Sequence, residues 1–479
     1  MREVKVDPNI FRKYDVRGVA AGDDPQLSPG VARLIGKAYG TFMKRNLGAE
    51  KAYVGGDNRE TTPALKAAVA EGIASTGMHV IDIGEVLTPT VYFAASSLGK
   101  DGGGVMVTGS HLTPEYNGIK MSKGSLSLYG DEITGALLGM VQRMDFETGS
   151  GSITQDRSIV DEHFETIKRK VTLGDRKLKV VVDAGNALAG VYIPPLYEAL
   201  GLEVVCLYCD PDPSFPNHLP NPESPDLVVD LQNTVVEHSA DIGIGFDGDA
   251  DRCGIIDNLG RHMSSDRTTA LLAMDLLKRQ PGATIVFDVK SSQALVDAVN
   301  AAGGNAIFWK TGHSLMKAKM AEVGAPLGGE VSGHIFVGED YYGFDDAPLV
   351  SLKLLEILSN TDKTMAELYD ALPHMWATPE VIMHAPDDEK FGIVEKIKER
   401  LGSRYDILDI DGVRARFDHG WGLVRVSNTH PAITMRFEAE TRAQLLEYMR
   451  LVEEELKTFP AVDLTEFEKE FARVENTEA

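Results

Sequence analysis

The stretch Lys179-Val-Val-Val-Asp183 decides the fold that we predict, because its pattern occurs twice more along the chain. A short run of β-branched residues predicts a buried strand, here ending at an acidic turn. The chain continues through a predicted helix to Gly201, and a second strand is predicted over residues 202–207. Strand, helix and strand in this order are typical of a βαβ unit in a parallel sheet.

Two other regions repeat the pattern. Residues 52–57 and 78–83 are strand candidates on either side of a predicted helix, and so are residues 284–288 and 305–309. We therefore predict three related α/β domains, with ligand-binding loops at the ends of the first strands.

The last ~100 residues form a different module. Strands are predicted over residues 414–417, 421–426 and 434–438, and helices over 391–401 and 441–459. This pattern indicates a fourth, α+β domain without a βαβ unit. We predict domain boundaries at residues 1–155, 156–261, 262–373 and 374–479.

Composition narrows the classes of function. The chain has 479 residues, 43% of them apolar, and a net charge of -24, which argues against a nucleic-acid partner. No run approaches the ~18 apolar residues of a membrane span, so we expect no membrane partner. Three cysteines are too few for a disulfide framework and fit a cytoplasmic location.

A serine lies in the loop Val107-Thr-Gly-Ser-His-Leu-Thr-Pro-Glu-Tyr-Asn-Gly-Ile-Lys120, directly after a predicted strand. Ser110, between Gly109 and His111, is expected on an exposed loop. Serine is a poor nucleophile, so it needs a base, a metal ion or a reactive phosphoryl partner. Lys120 lies ten residues further on.

An acidic turn, Gly245-Phe-Asp247-Gly-Asp249-Ala-Asp251-Arg252, follows the strand candidate 241–245. Three carboxylates at alternate positions can converge on one hard cation such as Mg²⁺. An EF-hand calcium loop is excluded, because its sixth position is Arg252 instead of glycine and its twelfth is Asn258 instead of glutamate. A solvated acidic turn remains the alternative.

Two further loops carry polar groups. Leu327-Gly-Gly-Glu330-Val-Ser332-Gly-His334 offers a carboxylate, a hydroxyl and an imidazole that could read sugar hydroxyls, although a tight turn with a helix-capping serine is an alternative. Val424-Arg425-Val-Ser427-Asn428-Thr429-His430-Pro431 could cradle a phosphate, with a polar β-turn as the alternative.

Four single residues are candidate substrate contacts only if they lie close to these loops. Tyr14 and Arg17 could share a cleft, and Lys290 and His313 lie where α/β sheets usually bind ligands. Taken together, the serine, the acidic turn and the two polar loops indicate phosphoryl transfer on a polyhydroxylated substrate.

At these residues the chain resembles the α-D-phosphohexomutase family, and most closely its bacterial phosphomannomutase/phosphoglucomutase group. The matching motifs run along the whole chain in the order of the family: Tyr14-Asp-Val-Arg-Gly18, Thr108-Gly-Ser-His111, Tyr116-Asn-Gly-Ile-Lys120, Asp247-Gly-Asp-Ala-Asp-Arg252, Gly329-Glu-Val-Ser-Gly-His334 and Arg425-Val-Ser-Asn-Thr429. The resemblance implies three similar α/β domains with mixed sheets and a C-terminal α+β (TBP-like) domain around a central cleft.

The resemblance also implies a reaction. Ser110 would carry a phosphoryl group, and Mg²⁺ would be bound by a phosphoserine oxygen and by Asp247, Asp249 and Asp251. The enzyme would interconvert the 1- and 6-phosphates of mannose and glucose through a hexose 1,6-bisphosphate, with glucose or mannose 1,6-bisphosphate as activator. Its partners would be hexose phosphates, and we expect a monomer or a weak homo-oligomer.

The resemblance assigns roles to the remaining residues. Arg252 would neutralise developing charge. The sugar hydroxyls would be read by Glu330, Ser332 and His334, and the non-reacting phosphate would be held by Arg425, Ser427, Asn428 and Thr429. Further substrate contacts would come from Tyr14, Arg17, Lys290 and His313, and proton transfer from His111, Lys120, Lys290 or His313.

The chain departs from the family pattern at Leu112-Thr113, where the family usually has Asn-Pro, and this puts one loop hydrogen bond in doubt. Val331 occupies the variable position of the sugar loop, which bears on the substrate. A phosphoglucosamine mutase is the nearest alternative. A metal-dependent sugar phosphatase and a non-catalytic sugar-phosphate binding protein are alternatives of other classes.

Overall fold

The computed structural model describes residues 4–99, 102–427 and 431–476. Its contacts divide the chain into two compact units. Unit 1 comprises Met1–Arg279 and Gly312–Tyr369, and unit 2 comprises Gln280–Thr311 and Asp370–Ala479. The predicted third domain therefore contributes residues to both units, and the four predicted domain boundaries stay a prediction.

The first sheet of unit 1 is mixed, in the order β1-β5-β4-β2-β3-β7, with β6 beside β5. Its strands are β1 (Val16–Val19), β2 (Lys51–Gly56), β3 (His79–Glu85), β4 (Gly102–Val107), β5 (Tyr116–Lys123), β6 (Leu126–Ser127) and β7 (Ile153–Gln155). The helices are α1 (Pro29–Leu47), α2 (Thr62–Ala74), α3 (Thr88–Ser97) and α4 (Leu138–Arg143). The parallel pair β2–β3, joined through α2, is the first predicted βαβ unit.

The second sheet of unit 1 has the order β12-β11-β10-β8-β9. Its strands are β8 (Lys179–Asp183), β9 (Glu203–Leu207), β10 (Ile242–Phe246), β11 (Cys253–Asp257) and β12 (His262–Met263), with helices α5 (Ser158–Arg169), α6 (Ala189–Ala199) and α7 (Val229–Glu237). The pair β8–β9 is parallel, as predicted, whereas β10 and β11 form an antiparallel hairpin. The acidic turn is the loop of this hairpin.

Helix α8 (Ser265–Arg279) ends the first segment of unit 1. The residues that follow it are divided between the two units. Unit 2 contains the third predicted βαβ unit, a parallel pair of β13 (Thr284–Asp288) and β14 (Asn305–Trp309) joined by α9 (Gln293–Ala301). Unit 1 contains an antiparallel set of short strands and three helices: α10 (His313–Val323), β15 (Leu327–Gly329), β16 (Ile335–Val337), β17 (Phe344–Asp345), α11 (Ala347–Ser359) and α12 (Met365–Asp370).

The C-terminal part of unit 2 is an antiparallel sheet in the order β18-β23-β22-β21-β20, with β19 beside β23. Its strands are β18 (Trp376–Ala377), β19 (Val381–His384), β20 (Asp406–Leu408), β21 (Val413–Phe417), β22 (Gly420–Val426) and β23 (Ala432–Ala439). The helices are α13 (Lys390–Gly402), α14 (Arg442–Leu456) and α15 (Thr465–Asn476). The predicted α+β pattern is confirmed, because alternate strand residues such as Met435 and Phe437 pack into one core with Ile397 and Met449.

Among the described residues, no helix is long and apolar enough to cross a membrane.

Helices α1 and α2 pack closely because glycines face each other across the contact. A Cβ on Gly36 would lie 2.3 Å from the carbonyl oxygen of Val69, and one on Gly72 would lie 2.2 Å from that of Arg33. Backbone cannot yield as a flexible side chain can, so a methyl group at either position would force the helices apart.

Gly72→Ala should therefore lower the midpoint of thermal unfolding, with a cost of about 1–3 kcal/mol that is typical of overpacking. Gly392→Ala, within α13, is the matched change: a Cβ there would meet nothing within 4 Å. It should stabilise the protein by about 0.5–1 kcal/mol, because alanine loses less backbone entropy in a helix. A Gly72→Ala protein as stable as the wild type would contradict this packing.

Candidate active site

Ser110 follows β4 and lies against the acidic turn. Its side chain hydroxyl donates to Oδ2 of Asp247 over 2.9 Å, and a Cβ on Gly248 would lie 2.3 Å from the Ser110 carbonyl oxygen. Ser110 is only 3% exposed, so the prediction that it lies on an exposed loop is wrong. Ser110 has a φ of 49°, in the left-handed region. Residues other than glycine rarely adopt this conformation, and those that do are often found at functional sites.

The side chain of Arg59 binds the backbone of residues 108–116, the loop that contains Ser110 and is called the serine loop below. Its fully buried guanidinium donates to the carbonyl oxygens of Leu112 at 2.6 Å, Thr113 at 2.7 Å, Ser110 at 2.8 Å and Tyr116 at 3.1 Å. These bonds use main-chain atoms, so the unusual Leu112-Thr113 pair leaves them intact. Sequence reasoning missed Arg59, which follows β2 and lies 51 residues before Ser110.

Asp57 completes this support. Its carboxylate accepts from the backbone N–H of Gly109 at 3.1 Å and of Arg59 at 3.1 Å, and from the hydroxyl of Thr62 at 2.5 Å. Its Oδ2 also lies 3.2 Å from Nε of Arg59. Because every contact is buried, the end of β2 fixes the position of the serine loop.

His111 lies beside the serine. Its Nδ1 is 3.1 Å from the Oγ of Ser110. Burial, reinforced by the nearby charge of Arg252, holds the pKa of His111 well below its ordinary value. The imidazole is therefore neutral near pH 7.

The acidic turn forms a compact carboxylate cluster. Asp247, Asp249 and Asp251 are each 1% exposed or less, and one oxygen of each lies within 4.8 Å of the others. Their burial rules out the alternative of a solvated acidic turn. Burial, opposed by Arg252 and reinforced by the neighbouring carboxylates, raises the pKa of Asp247 to about 7.

This cluster fits a metal ion. Within the described part of the chain, Oδ1 of Asp249 and Oδ1 of Asp251 are buried without a hydrogen-bond partner. Buried carboxylate oxygens are costly to leave unmatched, and they are the ligands that hard divalent cations prefer. The acidic turn can thus bind a metal ion.

Lys120 projects from β5 into the carboxylate cluster. Its Nζ donates to Oδ2 of Asp251 at 2.5 Å and to Oδ2 of Asp249 at 2.7 Å. Burial alone would lower the pKa of Lys120, but these carboxylates raise it well above its ordinary value. The hydroxyl of Thr88, at the start of α3, donates to the same oxygen of Asp249 at 2.5 Å. Sequence reasoning missed Thr88.

Arg252 connects the acidic turn to the predicted sugar loop. Its Nε donates to Oδ2 of Asp247 at 2.9 Å, and its guanidinium donates to the carbonyl oxygen of Ser332 at 3.3 Å. The backbones of Arg252 and His334 also form an isolated antiparallel bridge. The two predicted motifs, 80 residues apart, therefore share one site.

The sugar loop is held by polar contacts of its own. The carboxylate of Glu330 accepts from the backbone N–H of Gly312, and the backbone N–H of Glu330 donates to the carbonyl of His334 at 2.8 Å. Nδ1 of His334 lies 2.8 Å from Oδ2 of Asp345 and 3.8 Å from Oδ1 of Asp251. Burial works against the charged imidazole, but these two carboxylates raise the pKa of His334.

Aromatic rings extend this site. The rings of His313 and His334 stack with centroids 5.4 Å apart, and the ring of Tyr14 meets that of His313 edge-on at 6.2 Å. Burial, with the charge of Lys317, holds the pKa of His313 well below its ordinary value. Arg17, on β1, donates to the carboxylate of Asp15 at 2.6 Å. The structure thus places the rings of Tyr14 and His313 beside the sugar loop.

Unit 2 contains the remaining predicted residues. Nζ of Lys290 lies 3.0 Å from Oε2 of Glu380, and Arg425 donates to Oδ2 of Asp411 at 2.8 Å. The carbonyl of Ser427 accepts from Nζ of Lys390 at 2.9 Å. The predicted phosphate ligands Asn428 and Thr429 lie outside the described residues.

Arg59→Lys should loosen the serine loop, since an ammonium group has three donors on one atom and cannot reach four carbonyls. Each hydrogen bond left unmade costs about 1–3 kcal/mol, so amide hydrogen exchange over residues 108–116 should become at least about tenfold faster. Arg33→Lys, at an ion pair with Glu71 in which both side chains are 51% exposed, is the matched control and should leave this exchange unchanged. Unchanged exchange in Arg59→Lys would refute the role of Arg59.

Four family models match the chain in sequence. Residues 8–147, 161–260 and 264–375 match the alpha/beta/alpha domains I, II and III of phosphoglucomutase/phosphomannomutase, and residues 382–455 match its C-terminal domain.

Curated relatives cover most of the chain. A Pseudomonas putida protein named phosphomannomutase/phosphoglucomutase is 43% identical, over 91% of this chain and 93% of its own length. A Pseudomonas aeruginosa protein of the same name is 41% identical, over 94% of this chain and 96% of its own length.

A solved structure agrees with these matches. The crystal structure of a phosphoglucomutase/phosphomannomutase family protein from Burkholderia thailandensis superposes with a TM-score of 0.89 at 39% identity, and covers 96% of this chain and 99% of that one. The predicted fold of three α/β domains and a C-terminal α+β domain is confirmed. The chain belongs to the phosphoglucomutase/phosphomannomutase family of isomerases.

Proposed function

We propose that this protein interconverts the 1- and 6-phosphates of mannose and glucose, with Ser110 as the carrier of the phosphoryl group. The single observation that carries the proposal is the 2.9 Å contact of the Ser110 hydroxyl with Asp247, inside the carboxylate cluster. The names of the relatives at 41 and 43% identity support the same function.

The reaction has two phosphoryl transfers. In the first, the bond from phosphorus to Ser110 Oγ breaks while a bond forms to a hydroxyl oxygen of the sugar phosphate, giving a hexose 1,6-bisphosphate. The bisphosphate then reorients. In the second transfer, the bond between its other phosphorus and the sugar oxygen breaks while a bond forms to Ser110 Oγ, and the product leaves as the hexose monophosphate. A free hexose 1,6-bisphosphate would act as the activator, because it can transfer a phosphoryl group to Ser110 when that serine is unphosphorylated.

Two residues of unit 1 suit the proton transfers that accompany these steps. The imidazole of His111 lies 3.1 Å from the Oγ of Ser110, so it is the candidate acceptor for the proton of the attacking hydroxyl. The ammonium of Lys120, which donates to Asp249 at 2.7 Å and to Asp251 at 2.5 Å, is the candidate donor of a proton to a departing sugar oxygen. Neutral His313 is the other acceptor close to the sugar loop.

We propose that Mg²⁺ binds to Asp247, Asp249 and Asp251 together with an oxygen of phosphorylated Ser110. When bound, the ion would neutralise charge on the transferred phosphoryl group. The unmatched buried oxygens of Asp249 and Asp251 support this assignment. Arg252 adds a second positive charge beside Asp247, at 2.9 Å.

The other predicted residues would orient the substrate. Glu330, Ser332 and His334 would read the sugar hydroxyls, and Tyr14 and Arg17 would add further contacts. We propose that Arg425, Ser427, Asn428 and Thr429 bind the phosphate that does not react. Lys290, expected from the resemblance as a substrate contact or proton-transfer group, shares the carboxylate of Glu380 with Arg425, and we propose that it binds the same phosphate. A cytoplasmic location and a monomeric or weakly associated state remain part of this proposal.

Ser110→Ala should reduce turnover of mannose 1-phosphate and glucose 1-phosphate by at least about 1,000-fold, since the carrier of the phosphoryl group is lost. Ser403→Ala, an exposed serine after α13, is the matched control and should retain full activity. The assay also includes glucosamine 1-phosphate and free phosphate release. A strong preference for the amino sugar, or phosphate release as the main reaction, would contradict the proposed function.

A further inference from the structure

Two buried cations of unit 2 share one carboxylate. Nζ of Lys290 lies 3.0 Å from Oε2 of Glu380, and a guanidinium nitrogen of Arg425 lies 3.6 Å from Oε1. Each carboxylate oxygen thus faces one cation. Two oxygens of a phosphate group could bridge the same pair of cations in the same way.

Contacts other than those with Glu380 hold the guanidinium of Arg425 and the backbone of Lys290. Arg425 donates to Oδ2 of Asp411 at 2.8 Å, and the carbonyl of Lys290 accepts from the guanidinium of Arg436 at 2.9 Å. Lys290 and Arg425 are 5% and 7% exposed. The Glu380 side chain, at 29%, is the most accessible of the three, so it is the one that can turn toward solvent.

The charges explain why a carboxylate is needed between the cations. Two buried positive charges at close range repel each other and are costly to leave without a counterion. Although its burial acts in the opposite direction, Lys290 and Arg425 lower the pKa of Glu380 to about 2. Glu380 is therefore an anion at neutral pH, and together with Asp411 it balances the two cations when no other anion is bound.

We propose that Glu380 is a displaceable internal counterion, which fills the space between Lys290 and Arg425 until the phosphate of a substrate replaces it. This inference rests on the proposed function, which assigns the non-reacting phosphate to these cations. Exchanging a carboxylate for a phosphate dianion adds one negative charge between the cations, whereas exchange for a monoanion adds none. Glu380 thereby favours phosphate dianions over chloride and carboxylates, and it speeds product release by competing for the same cations.

Binding of inorganic phosphate to the full-length protein, measured by titration calorimetry, tests this inference. Glu380→Gln keeps the size of the side chain and removes its charge, so the cations should bind inorganic phosphate at least about tenfold more tightly. In turnover assays KM and kcat should both fall, because substrate and product are held more strongly. Chloride should also inhibit the variant more than the wild type.

Glu453→Gln is the matched control, since it removes the same charge from another ion pair of unit 2, with Lys457 at 2.7 Å. It should leave phosphate affinity unchanged. A merely structural role of Glu380 predicts the opposite result, a weaker site in Glu380→Gln. Weaker or equal phosphate binding by that variant would overturn the inference, as would the absence of measurable binding to either protein.

Arg425→Ala separates this inference from the proposed function. It should weaken phosphate binding in the wild type and cancel the gain of Glu380→Gln. If Arg425→Ala weakens binding but Glu380→Gln brings no gain, only the role of Glu380 fails. If Arg425→Ala changes nothing, the phosphate site assigned under the proposed function fails with it.

Discussion

The structure of unit 1 depends on the need to balance three buried carboxylates on one tight turn. Asp247, Asp249 and Asp251 lie within a few ångströms of one another and are closed off from solvent, which is unfavourable unless positive charge and donors surround them. The compensation comes from different parts of the chain. Lys120 reaches in from β5, and Arg252 turns back from the end of the loop.

This requirement also explains the position of the serine. Ser110 donates to Asp247, while Arg59 draws the carbonyls of the serine loop toward the end of β2. A cation in the acidic turn and a phosphoryl group on Ser110 would each reduce the charge imbalance of the other. Phosphoryl transfer then depends mainly on positioning and charge neutralisation, as is usual for this chemistry.

Local patterns in the sequence predicted much of the fold. The runs before Asp57, Asp183 and Asp288 are β-branched or glycine-rich and end in acidic turns, so their strand character follows from neighbouring residues. The acidic turn was predictable for the same reason, because its carboxylates alternate within five residues.

Contacts between distant residues could not be predicted in this way. Ser110 was expected to be exposed, but its burial depends on Arg59 and on Gly248, and neither position carries a local signal for that contact. The partnership of His334 with Asp345, and that of Lys290 with Glu380, likewise join separate loops. Charged residues that pair across such distances resemble ordinary solvated residues when only the sequence is known.

The role of Ser110 as phosphoryl carrier is tested most directly by locating phosphate on the full-length protein by intact mass and peptide mapping, before and after incubation with glucose 1,6-bisphosphate. If Ser110 carries the phosphoryl group, one phosphoryl group is expected on the peptide that contains Ser110, present after incubation and transferred to hexose phosphate when substrate is added. A protein that interconverts hexose phosphates while Ser110 stays unmodified throughout would contradict this role.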